Sequence, residues 1–152
     1  MKPTFHLPRA SSAYVGATYA ALALGTFGFL LGLWNAEMLL NEKGYYLTLL
    51  AFGLFSAVSL QKSVRDRHER IPVSNTYFGL CYVAVGLSLL LLATGLWNAT
   101  LLLSEKGYYA MSFVLALYSA VTVQKNVRDN LAADNSSSPA SDYRASNGDT
   151  AE

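Results

Sequence analysis

The sequence predicts an all-α integral membrane protein with four transmembrane helices, arranged as two tandem helical hairpins. Three observations lead to this prediction: a two-fold internal repeat, long apolar runs, and charges gathered in short clusters between those runs. Of the 152 residues, 53% are hydrophobic and only 14% are charged. Soluble domains carry about 25% charged residues. A bilayer, rather than water, is therefore expected to cover the apolar surface.

The repeat has an offset of 63 positions and contains no gap. From Gly32 to Asp66, 21 of 35 positions are identical to their counterparts in 95–129. Self-similarity of this kind indicates one structural unit used twice. We therefore divide the chain into two repeats, 14–66 and 77–129. The repeated blocks are Gly-Leu-Trp-Asn-Ala, Glu-Lys-Gly-Tyr-Tyr, Ser-Ala-Val, Gln-Lys and Val-Arg-Asp.

The first helix is predicted to span about 14–40, after a cytoplasmic N-terminal segment, 1–13. The apolar run from Ala13 to Leu40 contains a single charge, Glu37. The apolar part of a signal peptide has only about 7–15 residues, so this run is too long for one. A transmembrane helix fits its length.

The second helix is predicted to span about 45–61. Its apolar run, Tyr45 to Leu60, would cover about 24 Å of a hydrocarbon core of about 30 Å. Flanking Gln and Lys side chains can reach the headgroups and make up the difference. Between the two helices, a tight Asn-Glu-Lys-Gly turn is predicted to end at Gly44, because glycine readily adopts the left-handed conformation that closes a helix.

The second repeat is predicted to have the same design. After a cytoplasmic linker, 67–76, helices are expected at about 77–103 and 108–124, with Gly107 closing the turn. The chain from 130 to 152 is rich in Ser, Asn and Asp, and we expect a disordered cytoplasmic tail there.

Orientation follows from the lysines and arginines. The N-terminal segment, the central connection and the C-terminal flank hold eight of them, whereas the two Glu-Lys-Gly turns hold only Lys43 and Lys106. Cytoplasmic loops carry the excess of positive charge, so both termini should be cytoplasmic. Two spans per repeat then make the repeats parallel, related by a pseudo-two-fold axis along the membrane normal.

The repeated motifs resemble the YiaA/YiaB two-helix domain of bacterial inner-membrane proteins. The resemblance covers roughly Tyr14 to Asp129 and leaves out the two ends. It implies a multi-pass protein of the bacterial inner membrane with four helices, and it supplies no catalytic or binding residues. The two copies depart from each other where Glu37 is matched by Thr100.

Aromatic residues cluster toward the predicted outer face. Trp and Tyr favour the boundary between membrane and water, so we expect an interfacial belt there. The residues assigned to it are Trp34, Trp97, Tyr45, Tyr46, Tyr108 and Tyr109.

Asn35 and Asn98 are the candidate polar positions within the membrane, together with Glu37. If the first helix reached about residue 41, Asn35 would lie about 9 Å inside its end. One interpretation is that both amides join helices through hydrogen bonds. The alternative makes the two asparagines and Glu37 polar walls of a small cavity on the pseudo-axis, because ionisable residues in membranes often have a function.

Small residues spaced four apart are predicted to let helix backbones approach closely. The pairs are Gly28 with Gly32, Gly53 with Ala57, and Ala116 with Ala120.

The favoured function is a small structural or interaction protein of the membrane, without catalytic activity, metal or other cofactor. Its expected partners are the lipid bilayer and either further copies of itself or other membrane proteins. A net charge of +1 gives no field for nucleic acid, and no small-molecule ligand is indicated. The alternative is a small transporter or channel component that uses the duplicated Trp-Asn positions.

Overall fold

Four α-helices account for nearly all of the described chain, residues 11–137 of a computed structural model. They are α1 (Ser12–Asn35), α2 (Leu40–His68), α3 (Asn75–Asn98) and α4 (Leu103–Ser137), which confirms the all-helical prediction. Residues 130–137, predicted to begin a disordered tail, instead continue α4. The remainder of that tail and residues 1–10 lie outside the described residues.

The turn within each repeat lies earlier than predicted, which corrects the helix ends near residues 40 and 45. α1 ends at Asn35 and α2 begins at Leu40, and the second repeat breaks at the equivalent place. The Glu-Lys pair explains the shift. Glu42 accepts a hydrogen bond from the Leu39 amide at 2.9 Å, as the third residue of a capped helix does. Lys43 donates to the Trp34 carbonyl at 3.0 Å and so caps the end of α1.

The second repeat uses the same two bonds. Glu105 accepts from the Leu102 amide at 2.8 Å, and Lys106 donates to the Trp97 carbonyl at 3.4 Å. The Glu-Lys-Gly motif is therefore the first turn of the second helix in each repeat. It joins that helix to the end of the one before.

Gly44 and Gly107 consequently do not close a helix, which corrects their predicted role. Both lie within helices, and no described glycine has a positive φ. A Cβ added at either position would meet nothing within 4 Å.

Gly44→Ala is expected to stabilise the protein, since alanine is favoured over glycine in a helix interior by about 1 kcal/mol. Thermal unfolding of the purified protein in detergent measures the effect. Gly32→Ala is the matched control, because a Cβ at Gly32 would lie 2.6 Å from the Tyr108 ring. Gly44→Ala should raise the melting temperature and Gly32→Ala should lower it. A fall for Gly44→Ala would show that this glycine is needed for a turn or a close contact.

α2 continues beyond the predicted end at residue 61 and stops at His68. Arg70, with φ of 59°, has the left-handed conformation that ends the helix. The Ile71 amide donates to the Asp66 carbonyl at 2.8 Å, and the Arg70 amide donates to the Arg67 carbonyl at 3.3 Å. This closing motif leaves a linker of only 69–74, shorter than the predicted 67–76, and carries the chain back toward α3.

Helix packing crosses between the repeats. α1 packs mainly against α4, and α2 packs mainly against α3, whereas the two helices of one repeat barely touch. α2 and α4 also pack against each other and form the centre of the bundle. Each hairpin of the sequence is therefore open, and its first helix lies along the second helix of the other repeat.

Aromatic side chains fill the centre. Phe29 and Phe113 are fully buried, with ring centroids 6.0 Å apart, and Phe29 meets the edge of Tyr109 at 5.3 Å. Tyr46 and Tyr109 occupy equivalent positions in the two repeats and stack on each other at 6.0 Å. Their stack lies where α2 and α4 meet.

Three helices, α1, α2 and α3, are long and apolar enough to cross a membrane. Many large apolar side chains on the bundle are exposed, among them Leu24, Phe27 and Phe55. An apolar surface of this kind fits lipid rather than water.

Candidate functional site

Two clefts lie at the end of the bundle that contains the turns 36–39 and 99–102. The Glu42 cleft has a volume of about 230 Å³, and the Glu105 cleft one of about 320 Å³. Leu101 lines both, so the clefts are neighbours. The Glu42 cleft is lined by Asn41, Glu42, Tyr45, Tyr46, Gly95 and Asn98 among others. The Glu105 cleft is lined by Ser104, Glu105, Tyr108, Tyr109, Gly32 and Asn35, which are the counterparts of those six at the repeat offset.

Tyr45 and Tyr108 join the repeats at the clefts. The Tyr45 hydroxyl donates to the Leu91 carbonyl of α3 at 2.7 Å. The Tyr108 hydroxyl donates to the Gly28 carbonyl of α1, which is the equivalent bond. A carbonyl inside a helix already accepts one backbone bond, and its second lone pair is free for the phenol.

The glycine two residues before each tryptophan makes room for these tyrosines. A Cβ at Gly95 would lie 2.8 Å from the Tyr45 ring, as one at Gly32 would approach Tyr108. Gly28 faces the Tyr108 hydroxyl, with 3.3 Å between that oxygen and an added Cβ. The Gly28–Gly32 pair, predicted to let helix backbones approach closely, instead lies against the Tyr108 side chain. Leu91 stands in the place of Gly28 in the second repeat and accepts the same bond through its backbone.

The predicted depth of Asn35 and Asn98 is corrected by the helix ends. Each asparagine is the last residue of its helix rather than about 9 Å inside it, and both are exposed. The Asn35 amide donates to the Leu31 carbonyl at 3.0 Å, and the Asn98 amide donates to the Thr94 carbonyl at 2.8 Å. These bonds stay within one helix, so neither amide joins two helices in this way. Both asparagines line a cleft, one in each.

Glu37 lies in the turn after α1, exposed and outside the linings of both clefts. The carboxylates that do line the clefts are Glu42 and Glu105, which the sequence reasoning missed. Each glutamate lies three residues after the residue that precedes its helix, Leu39 or Leu102. That spacing was the available signal, since a Glu at that position commonly caps a helix.

The six predicted interfacial aromatics divide into three classes. Trp34 and Trp97 are 83% and 85% exposed, beside the turns. Tyr45 and Tyr108 are partly exposed at the clefts. Tyr46 and Tyr109 are only 4% and 3% exposed, which corrects their assignment to a belt, because their rings form the stacked pair between α2 and α4.

Of the small residues predicted to let helix backbones approach, Ala116 lies against Gly25 of α1, where the backbones of α1 and α4 come close. Gly53 instead makes room for the Phe113 ring. Ala57 and Ala120 follow them one turn later, and Ala57 is buried.

Two further polar contacts link the helices toward the opposite end of the bundle. Asn126 of α4 donates to the Thr18 hydroxyl of α1 at 3.2 Å, and Ser63 of α2 lies 3.4 Å from the Cys81 sulfur of α3. The two contacts are equivalent at the repeat offset. Within residues 11–137, no group of three His, Cys, Asp or Glu side chains could hold a metal ion.

Comparison with known proteins agrees with the repeated architecture. The profile of the family described as the yiaA/B two helix domain matches residues 14–66 and again 77–129. Inner membrane protein YiaA of Escherichia coli (strain K12) is 56% identical over 119 residues, covering 78% of this chain and 82% of the relative. Uncharacterized membrane protein YubF of Bacillus subtilis (strain 168) is 39% identical over 62 residues, covering 40% of this chain and 71% of that protein.

No solved structure matches the chain. The two profile matches fall on the two halves of the bundle, and together they account for most of the chain. The chain therefore belongs to the YiaA/B two-helix domain family of membrane proteins.

Proposed function

We propose that this protein is a non-catalytic structural or interaction protein of the bacterial inner membrane, with four spans. The location is supported by the relative in Escherichia coli, whose name places it in the inner membrane. The fourth span is supported by packing, since α4 lies along α1, which is apolar enough to cross. α4 contains Tyr108, Tyr109 and Tyr118 together with several Ser residues and Thr122, and these lower its hydropathy.

A pseudo-two-fold axis along the membrane normal is supported by paired contacts. The tyrosine bonds, the lysine caps, the glutamate caps and the asparagine bonds each occur twice at the same offset. The stacked Tyr46 and Tyr109 would lie on the axis. Parallel repeats would put both turns at one face, and the basic segments around Arg65 and Arg128 at the other.

The observation that most favours a packing role is the filled centre of the bundle. Phe29, Phe113 and the tyrosine stack occupy the space between α1, α2 and α4, so a path along the axis would have to displace them. Outside this centre, exposed apolar residues cover the described helices and could face lipid or another protein. We infer that the protein acts through this surface, with further copies or other membrane proteins as partners.

The transporter alternative uses the duplicated Trp-Asn positions. Asn35 and Asn98 line the clefts, but each bonds to its own helix at the end of the bundle. A pathway would therefore need an oligomer to enclose it.

The orientation is tested by thiol labelling in intact cells, in a Cys81→Ser background. Ser104→Cys, at the start of α4, should react with an impermeant reagent from outside, because the Lys/Arg asymmetry places the turns there. Ser74→Cys, in the linker, should react only after the cells are opened. Both sites are exposed, so access depends on the side of the membrane. Labelling of Ser74→Cys alone in intact cells would show the opposite orientation. Labelling of both variants from outside would contradict four spans.

The interaction role is tested by co-expressing two differently tagged copies and purifying one in mild detergent. Recovery of the second copy, or of a stoichiometric membrane protein, is the expected result. Recovery of neither, together with solute flux by the purified protein in proteoliposomes, would favour the transporter.

A further inference from the structure

The two clefts carry negative charge that no lining Lys or Arg side chain neutralises. Each contains one glutamate, and neither Lys nor Arg appears among the residues that line them. The lysines of this end are engaged elsewhere, since Lys43 and Lys106 donate to the Trp34 and Trp97 carbonyls.

Hydrogen bonding within the protein leaves a carboxylate oxygen and an amide oxygen available in the Glu42 cleft. The Tyr45 hydroxyl donates to Leu91, and one of the two N–H groups of the Asn98 amide donates to Thr94. The Asn98 Oδ1 atom stays available, as does the second oxygen of Glu42, whose Oε2 atom caps Leu39. The lining residues Asn41, Thr100 and Tyr46 can donate or accept, so the carboxylate of Glu42 is the feature that selects a cation.

The Glu105 cleft has the same balance through different residues. The Asn35 amide donates to Leu31 and the Tyr108 hydroxyl to Gly28, while the Glu105 Oε2 atom caps Leu102. An acidic cleft with free carboxylate and amide oxygens, which occurs twice, favours a ligand that is cationic and donates hydrogen bonds.

The shape and surroundings of the clefts restrict that ligand further. Volumes of about 230 and 320 Å³ are at or below the small end for ligand pockets. Tyrosine rings form part of each wall, and an aromatic face attracts a cation. Each cleft lies between the carbonyl end of one helix, α3 or α1, and the first turn of another, α2 or α4. The two helix dipoles oppose each other there, so the glutamate supplies the negative charge of the cleft.

We propose that each cleft binds a primary ammonium group, R–NH₃⁺, on a small substituent. Such a group carries three donors and no acceptor, which complements the glutamate and asparagine oxygens. A quaternary ammonium has the charge but no N–H to donate. The ammonium could belong to an ethanolamine lipid headgroup or to a soluble alkylamine. The lipid source rests on the membrane-spanning arrangement proposed above, which thiol labelling tests separately, and the soluble source does not.

Two measurements on the purified full-length protein distinguish these sources. Native mass spectrometry in detergent compares retention of phosphatidylethanolamine with that of phosphatidylcholine, which has the quaternary headgroup. Thermal unfolding compares ethylammonium chloride with tetramethylammonium chloride at equal ionic strength. Retention of one or two ethanolamine lipids per chain indicates the lipid source. A rise in melting temperature with ethylammonium alone indicates that a free amine suffices.

Glu42→Gln and Glu105→Gln are the informative variants, because glutamine can keep the helix cap while it removes the charge. Each single change should weaken binding at its own cleft at least about tenfold and leave the other cleft unchanged. Glu37→Gln is the matched control, since Glu37 is a carboxylate of the same end that lines neither cleft. It should bind like the unchanged protein.

The proposal is wrong if phosphatidylcholine and phosphatidylethanolamine are retained equally and tetramethylammonium stabilises as much as ethylammonium. It is also wrong if the Glu42→Gln, Glu105→Gln double variant binds as tightly as the Glu37→Gln control. Should the double variant be too unstable to purify, the comparison of primary with quaternary ammonium on the unchanged protein still decides the matter.

Discussion

Phe113→Ala is expected to lower the free energy of unfolding in detergent by about 2–3 kcal/mol, at or below the lower end of the range of about 3–5 kcal/mol for a buried Phe→Ala change. Phe113 is fully buried, and its ring packs on Phe29 and against Gly53. The change would leave a cavity between α4 and its two neighbours, α1 and α2. The cost falls below that in a water-soluble core because helices within lipid gain little from transferring apolar atoms out of water.

Phe55→Ala is the control for Phe113→Ala. Phe55 is 73% exposed on α2, so the same atoms are removed without a cavity. Its melting temperature should stay close to that of the unchanged protein. Equal destabilisation by the two variants would contradict the bundle described here, because it would place Phe55 in a comparable core.

The sequence was sufficient for the number and type of helices because the repeat and the apolar runs report them directly. It was also sufficient for the family, since the matching blocks are long and occur twice. Both predictions depend on local patterns, which a single chain displays completely.

The choice of packing partner could not be predicted in the same way. A repeat with an offset of 63 is compatible with helices that pair within each repeat or across the two. The deciding features are pairs of residues far apart in the chain, such as Tyr108 with Gly28 and Gly25 with Ala116. Nothing in the spacing of either residue identifies its partner.

The helix ends and the clefts were missed for one shared reason. A glycine after a charged pair is typical of a turn, and Leu39 lacks the side-chain acceptor that usually marks the start of a helix. The Glu42 and Lys43 side chains supply the capping instead, and their bonds move the turn five residues earlier than the motif suggested. That shift brings Asn35 to the helix end and places Glu42 in a cleft.

Gly25→Ala is expected to weaken the contact between α1 and α4. A Cβ at this position would lie 2.6 Å from the backbone nitrogen of Ala116 and 2.9 Å from its Cα atom. Backbone atoms cannot rotate away as a side chain does, so α1 must shift outward along its interface. Overpacking of this kind costs about 1–3 kcal/mol, and a better helix propensity recovers about 1 kcal/mol at most.

Gly16→Ala separates this contact from helix propensity. Gly16 lies on the same helix, and an added Cβ there would meet nothing within 4 Å. In thermal unfolding in detergent, Gly16→Ala should raise the melting temperature slightly, whereas Gly25→Ala should lower it. Ala116→Gly, added to Gly25→Ala, should restore little, because the overlap is with the backbone of Ala116 and not its methyl group. Full recovery in that double variant would show that the overlap is with the Ala116 methyl group instead. A Gly25→Ala protein as stable as Gly16→Ala would show that α1 and α4 do not approach through Gly25.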